Sequence, residues 1–206
     1  MRRKQCEITE YKHICRVLTG CTVGRLATSG ADGYPYITPV NFVWWQDAIY
    51  FHSAPEGEKL ENMKRDAKVC FEVDIPLSYL GLGCTTQANP CRLHQLYHCV
   101  IIRGLAALLE DGEEKAGALN ALVRAHEPEA DFPPLTAKTP ALSACAVVKI
   151  HPLYISAKSD LLQGKDAETI NGISEYLLHR GQETDIQTVQ AIKTSQRKGN
   201  SGEGDR

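Results

Sequence analysis

Between residues 21 and 52 apolar and polar residues alternate in short runs broken by turn signals, the pattern of half-buried strands rather than of helices. Cys21 to Thr28 reads as a strand, and Ser29-Gly30-Ala31-Asp32-Gly33 as a turn of the Asp-Gly kind. Tyr34 to Trp45 is a second strand, whose prolines at 35 and 39 place it at an edge or at a bulge. Gln46-Asp47 turns the chain into Ala48 to His52, which completes an antiparallel meander. Before it, Thr9 to Leu18 has the apolar spacing of a short helix, with Tyr11, Ile14, Val17 and Leu18 inward and Gly20 as its stop.

After the meander, Ser53-Ala54-Pro55-Glu56 has the letters of a capping box and predicts a helix to about Arg65, with Leu60 and Met63 inward. Val69 to Val73 reads as a strand, Pro76 to Pro90 as an irregular loop, and Tyr97 to Leu109 as a long strand with a bulge at Gly104. Glu113 to Ala125 is an amphipathic helix within an acidic stretch. Residues 110–131 hold seven acidic and two basic side chains, a solvated face. Ala141 to Ile155 is the last strong strand, and Ala167 to His179 has helical spacing. The polar, Gly-rich residues 194–206 are expected to be disordered. Few helices among many strands at meander spacing predict a mainly β fold, a small antiparallel barrel. The boundaries expected are a barrel domain over 1–157, a partly helical extension over 158–193, and the tail.

Composition narrows the classes. Lys and Arg total 23 against 25 Asp and Glu, a formal charge of −2, which speaks against a nucleic-acid binder. No apolar run approaches the roughly 20 residues of a membrane helix. The basic start is followed by Glu7, Glu10 and Lys12 where a signal peptide needs an apolar stretch, so a cytoplasmic location is expected. Eight cysteines occur without a CxxC and are read as reduced.

The chemistry-bearing stretch is Ile49-Tyr50-Phe51-His52-Ser53-Ala54-Pro55-Glu56-Gly57-Glu58-Lys59-Leu60, where a strand gives way to a helix with a lysine in its first turns. Free N–H groups of a helix start, a hydroxyl and an ammonium suit a phosphate dianion. The same letters also describe a helix cap beside a solvated lysine, and Glu56 and Glu58 suit an anion only if they turn away.

Val23-Gly24-Arg25-Leu26-Ala27-Thr28, Gly33 to Phe42, Ile49 to Leu60 and Val69-Cys70-Phe71-Glu72-Val73-Asp74, in that order, resemble the pyridoxamine-phosphate-oxidase-like flavoprotein superfamily. The nearest branch is that of the nitroimidazole-resistance (Nim) proteins. Pro90-Cys91, the strand from Tyr97 and Gly104 continue the resemblance, which covers about residues 1–155. It implies a split β-barrel that forms a homodimer with FMN in a groove between subunits. By position, Pro39, Val40, Asn41 and Phe42 would run beside the flavin ring, with Asn41 bonding its polar edge. His52 and Ser53 would lie at the ribityl-phosphate end, Lys59 on the phosphate, and Cys99 near the ring. The family's oxidases place a second basic residue beside that lysine, where this chain has Glu58. The implied activity is reduction of a small organic acceptor such as a nitro compound, with NAD(P)H or another donor. His52 is the candidate catalytic side chain. A haem- or flavin-binding module without turnover, and a pyridoxamine-phosphate-oxidase-like activity, are the alternatives.

Other clusters weigh less. Cys84, Cys91, His94, His98 and Cys99 are zinc-ligand types, but their spacing is poor and a strand puts His98 and Cys99 on opposite faces, so no metal site is expected. His13, His52, His94 and His98 are the haem-ligand candidates, and nothing selects among them. Arg25 and Arg103 stand in apolar strands, as anion contacts or as paired rim residues. Trp44 and Trp45 are expected to pack in the core or at an interface.

Overall fold

The structure, a computed structural model, describes residues 3–84 and 90–200, without the side chains of residues 92 and 197–200. Its chain divides into two compact units. One comprises Thr9–Asp74 and Val100–Ser156. The other gathers the residues up to Ile8, Ile75–Cys99, and Ala157 onward.

In the first unit α1 (Tyr11–Thr19) precedes β1 (Val23–Ser29), β2 (Pro35–Asn41), β3 (Val43–Trp45) and β4 (Ala48–Ser53). Then come α2 (Glu58–Arg65), β5 (Lys68–Leu80), β6 (His94–Leu108), α3 (Glu113–His126) and β7 (Ala146–Asp160). The last three strands begin in one unit and end in the other. The sheet order is β2-β1-β5-β6-β7-β4-β3, and every pair of recorded register is antiparallel. β2 and β3, the two ends of that order, are separated in sequence by Phe42 alone. A sheet whose outermost strands are consecutive in the chain must curl, and here it forms a mostly antiparallel half-barrel. The strand pattern implies an antiparallel barrel, and the family resemblance implies the split barrel observed here.

The single strand expected over Tyr34–Trp45 is therefore two, broken where Phe42 turns inward. Pro35 and Pro39 stand on the outermost strand β2, where the missing N–H groups leave no ladder bond unmade. The core is apolar and close-packed: Leu26, Ile49, Phe51, Leu60, Phe71, Ile102 and Ile150 have no solvent exposure. Phe42 and Phe71 meet edge to face, with ring centres 5.0 Å apart. A Cβ on Gly24 would stand 2.1 Å from the Phe71 ring, so the glycine leaves space for the aromatic. A Cβ on Gly104 would lie 2.4 Å from the His151 carbonyl oxygen, so this glycine serves a close approach to β7. α3 covers β3 and β4 through Trp45, Tyr50, Ala118 and Val147.

The second unit has its own core of Leu77, Leu80, Leu96, Leu161, Leu177, Val189 and Ile192. α4 (Ala167–Arg180) starts on Asp166, whose carboxylate accepts the Thr169 N–H at 2.7 Å, and stops at Gly181 with φ 71°. α5 (Glu183–Asn200) extends beyond the boundary expected at residue 194, and residues 201–206 lie outside the described ones. β5 likewise runs to Leu80 through part of the expected loop 76–90, of which 85–89 lie outside the described residues. Inside this unit Asp185 is fully buried. It accepts from Arg180 Nε at 2.8 Å, Ser78 Oγ at 2.6 Å and the Gln182 N–H at 3.1 Å. Arg180 also reaches the Tyr79 carbonyl, so one guanidinium ties the α4–α5 turn to β5. No helix among the described residues is long and apolar enough to cross a membrane.

The Arg180 guanidinium, with Ser78 and the Gln182 N–H, pulls the Asp185 carboxyl down to about 2. A depressed carboxyl pKa adds stability above its unfolded value near 3.9, and that stability is lost as pH falls toward 2. Asp185→Asn is expected to cost about 3 kcal/mol at neutral pH by leaving Arg180 without its partner. Denaturant titration checks this, and the loss relative to wild type is expected to shrink below about pH 4. A second check on packing is Gly24→Val, expected to lower stability by about 2 kcal/mol because the Phe71 ring must move.

Candidate functional site

The expected capping box does not form. Ser53 ends β4, where it pairs with Ala146, and α2 begins five residues later at Glu58 with Gly57 in the cap position. Gly57 has φ 133°, a conformation that strains any side-chain-bearing residue. The strand and helix are thus joined by an exposed loop of residues 54–57, and the Ser53 hydroxyl is left on the strand. It is 8 % exposed, and its Oγ is the one described buried side-chain N or O atom without a hydrogen-bond partner. An unmade hydrogen bond of this kind costs about 1–3 kcal/mol. A group that brings an acceptor to this point would recover it.

Three features surround the hydroxyl in the chain. The first N–H groups of α2 have no intrahelical acceptor, since the recorded bonds to Gly57 O come from Leu60 and Glu61. Lys59 is half-buried in the first turn, whereas Glu56 and Glu58 are exposed and can turn to solvent. The helix itself is held against β1 by a polar relay that is buried at Asn62 and Thr28 and exposed at Arg65. Asn62 donates to Thr28 Oγ1 at 3.0 Å, and Arg65 donates to Asn62 Oδ1 at 2.8 Å and to the Ser29 carbonyl. Together these features suit a phosphate monoester: a fixed hydroxyl donor, helix-end N–H groups and one ammonium.

His52 lies on the other face of β4 from Ser53. It follows Ala48 and Tyr50 on the face covered by α3, and it is exposed. β4 is fastened beneath it by Glu114, which accepts from Tyr50 at 2.8 Å and from Lys149 at 2.7 Å. Lys149 first, and then Tyr50, hold the Glu114 carboxyl below its ordinary range.

The β2 residues divide in the same way. Pro39 pairs with Arg25 and Asn41 with Val23 on the exposed face, while the half-buried Val40 pairs with Gly24 on the inner one. β2 is in contact with β4. The Phe42 side chain is 1 % exposed and belongs to the core, so only its backbone can meet a ligand. Its N–H donates to Thr22 O, and its carbonyl lies 3.2 Å from Nε2 of His126. A carbonyl only accepts, so Nε2 is the protonated nitrogen. His126, in the last turn of α3 and within the acidic stretch 110–131, is the neighbour that sequence reasoning missed. Only its place at a helix end set it apart.

Cys99 belongs to the other unit and is half-buried in β6. There Lys158 donates to Tyr97 Oη at 3.0 Å, Ser159 contacts His98 Nδ1 at 2.7 Å, and His94 faces Asp160 at 3.3 Å. No group of three or more metal-binding side chains occurs among the described residues. Arg25 is paired with Glu72, at 2.9 Å, and with Asp74, so the paired-rim reading applies to it.

The family model described as pyridoxamine 5'-phosphate oxidase matches residues 10–159, most of the chain. The chain belongs to the pyridoxamine 5'-phosphate oxidase family. Solved structures agree at the level of fold. A candidate 5-nitroimidazole antibiotic resistance protein from Bacteroides thetaiotaomicron is 24% identical with a TM-score of 0.62, covering 74% of this chain and 85% of its own. The FAD and haem binding protein from Mycobacterium smegmatis is 18% identical with a TM-score of 0.65, over 80% and 78%. A flavocytochrome from Azotobacter vinelandii is 19% identical with a TM-score of 0.65, over 83% and 77%. No curated protein matches. In this family member the matched span takes in all of β1–β4 and α2, and so the whole Ser53–Lys59 corner.

Without ligand, Ser53→Ala is expected to leave stability unchanged or raise it by about 1 kcal/mol, because the removed hydroxyl makes no bond. Chemical denaturation of the ligand-free protein measures this. A loss above 1 kcal/mol would show that the hydroxyl has a structural partner.

Proposed function

We propose that the protein is an FMN-binding flavoprotein, homodimeric with the flavin in a groove between subunits. It reduces a small organic acceptor, such as a nitro compound, with electrons from NAD(P)H or another donor. The observation that carries this reading is the buried Ser53 hydroxyl at the end of β4, without a hydrogen-bond partner among the described residues, six residues before the half-buried Lys59 of α2. Membership of the family supports it.

In this reading Ser53 Oγ donates to a phosphate oxygen, Lys59 supplies the counter-charge, and the first N–H groups of α2 complete the cradle. Asn41 and the backbone of Pro39, Val40 and Phe42 run beside the ring. Phe42, anchored in the core, keeps that segment from shifting. His52, exposed on the other face of β4 from Ser53, is the candidate catalytic side chain on the ring side. His126 fixes the Phe42 carbonyl from behind. Cys99 is retained as a ring contact on resemblance alone. Bound FMN itself supplies the redox chemistry. The chain orients it and shields one side.

Purified protein should be yellow, with absorption near ~450 nm that is released as FMN on extraction. Ser53→Ala and Lys59→Ala should each weaken FMN binding about tenfold, the worth of one good hydrogen bond or charge contact. Oxidation of NADH or NADPH with a nitroimidazole as acceptor tests turnover. A colourless protein that ignores added FMN overturns the proposal. A Soret band on adding haem supports a haem-binding module in its place, and oxidation of pyridoxamine phosphate supports the oxidase activity.

A further inference from the structure

A second site lies at the other end of β1 and β2. There the first unit carries a cleft of about 440 Å³ between the β1–β2 turn and the outer face of β5, β6 and β7. Ala27, Cys70 and the 65 % exposed Leu153 form apolar walls, and Lys68 and Arg103 are its charged residues. The lining shares no residue with the proposed flavin site, which it neighbours through Thr28, the acceptor for Asn62 of α2.

The charges are what make it a site. On the same strands Arg25 is neutralised by Glu72 and Asp74, and Lys149 by Glu114. Lys68 and Arg103 are exposed and have no ion pair among the described residues. No acidic side chain lines the cleft. The neighbouring carboxylate, Asp66, is turned to the Lys68 backbone N–H at 3.0 Å. Arg65, at the end of α2, adds a third positive charge where it meets the Ser29 carbonyl. Two unpaired cations over an apolar floor match one ligand chemistry, a small organic anion with a flat apolar body.

We infer that this cleft binds an amphipathic organic anion, an arene carboxylate or sulfonate, with its apolar body against Ala27, Cys70 and Leu153 and its anionic group between Lys68 and Arg103. The inference does not rest on the flavin reading. Titration of the full chain with 8-anilinonaphthalene-1-sulfonate, followed by fluorescence with and without FMN, tests it. Saturable binding of one dye per chain is expected in both conditions. The double variant Lys68→Ala/Arg103→Ala should weaken it at least about tenfold. Leu153→Asp, at an exposed position that leaves folding intact, should do the same by placing a like charge in the cleft. Arg124→Ala, which removes an exposed cation outside the cleft, should leave the affinity unchanged. Absence of saturable binding, or equal affinity in all these proteins, overturns the inference, whatever the outcome with FMN.

Discussion

Phe42 is the constraint on which the barrel depends. The two outermost strands of the sheet are consecutive in the chain, and they can take those places only if the chain bends sharply between Asn41 and Val43. Burying an aromatic ring at the bend supplies the driving force, about 2–3 kcal/mol from removed area alone. The edge-to-face contact with Phe71, and the space left by Gly24, fix its direction. Everything at the candidate site follows from that bend. It brings β2 into contact with β4, and it directs the Phe42 carbonyl toward His126.

The Ser53 corner shows how an unfulfilled interaction points outward. A strand that ended one residue earlier, or a helix that began at Ser53, would have spent the hydroxyl on the fold. Instead β4 keeps Ser53 in register with Ala146, and Gly57 takes the left-handed turn that lets α2 start late. The hydroxyl is held in position by the sheet and has no hydrogen-bond partner among the described residues.

Much of this was legible in local sequence signals. The meander, the Asp32-Gly33 turn, the edge position of the prolines and the start of α4 all depend on nearest neighbours, and each has a residue that carries the signal. What was hidden depends on distant partners. The letters Ser-x-x-Glu at 53–56 are those of a helix cap, but pairing with β7 overrides them. α5 buries Asp185, Thr188, Val189 and Ile192 on one face, the spacing of a helix. Two of the four are polar, so the apolar period fades, and Ser78, which bonds both Asp185 and Thr188, lies on β5 far away in the chain. The extension expected from residue 158 likewise packs with Ile75–Cys99, an association no local pattern announces. At the site, strand alternation separates His52 from Ser53, so two neighbours in sequence serve different faces.

The central claim is that this corner grips a phosphate. The most direct measurement compares the affinity of the ligand-free protein for FMN with that for riboflavin, which has the same ring and ribityl chain without the phosphate. Preference for FMN by about tenfold or more is predicted, because the contacts proposed for Ser53, Lys59 and the α2 N–H groups are made to the phosphate that riboflavin lacks. Equal affinity for the two would contradict the account.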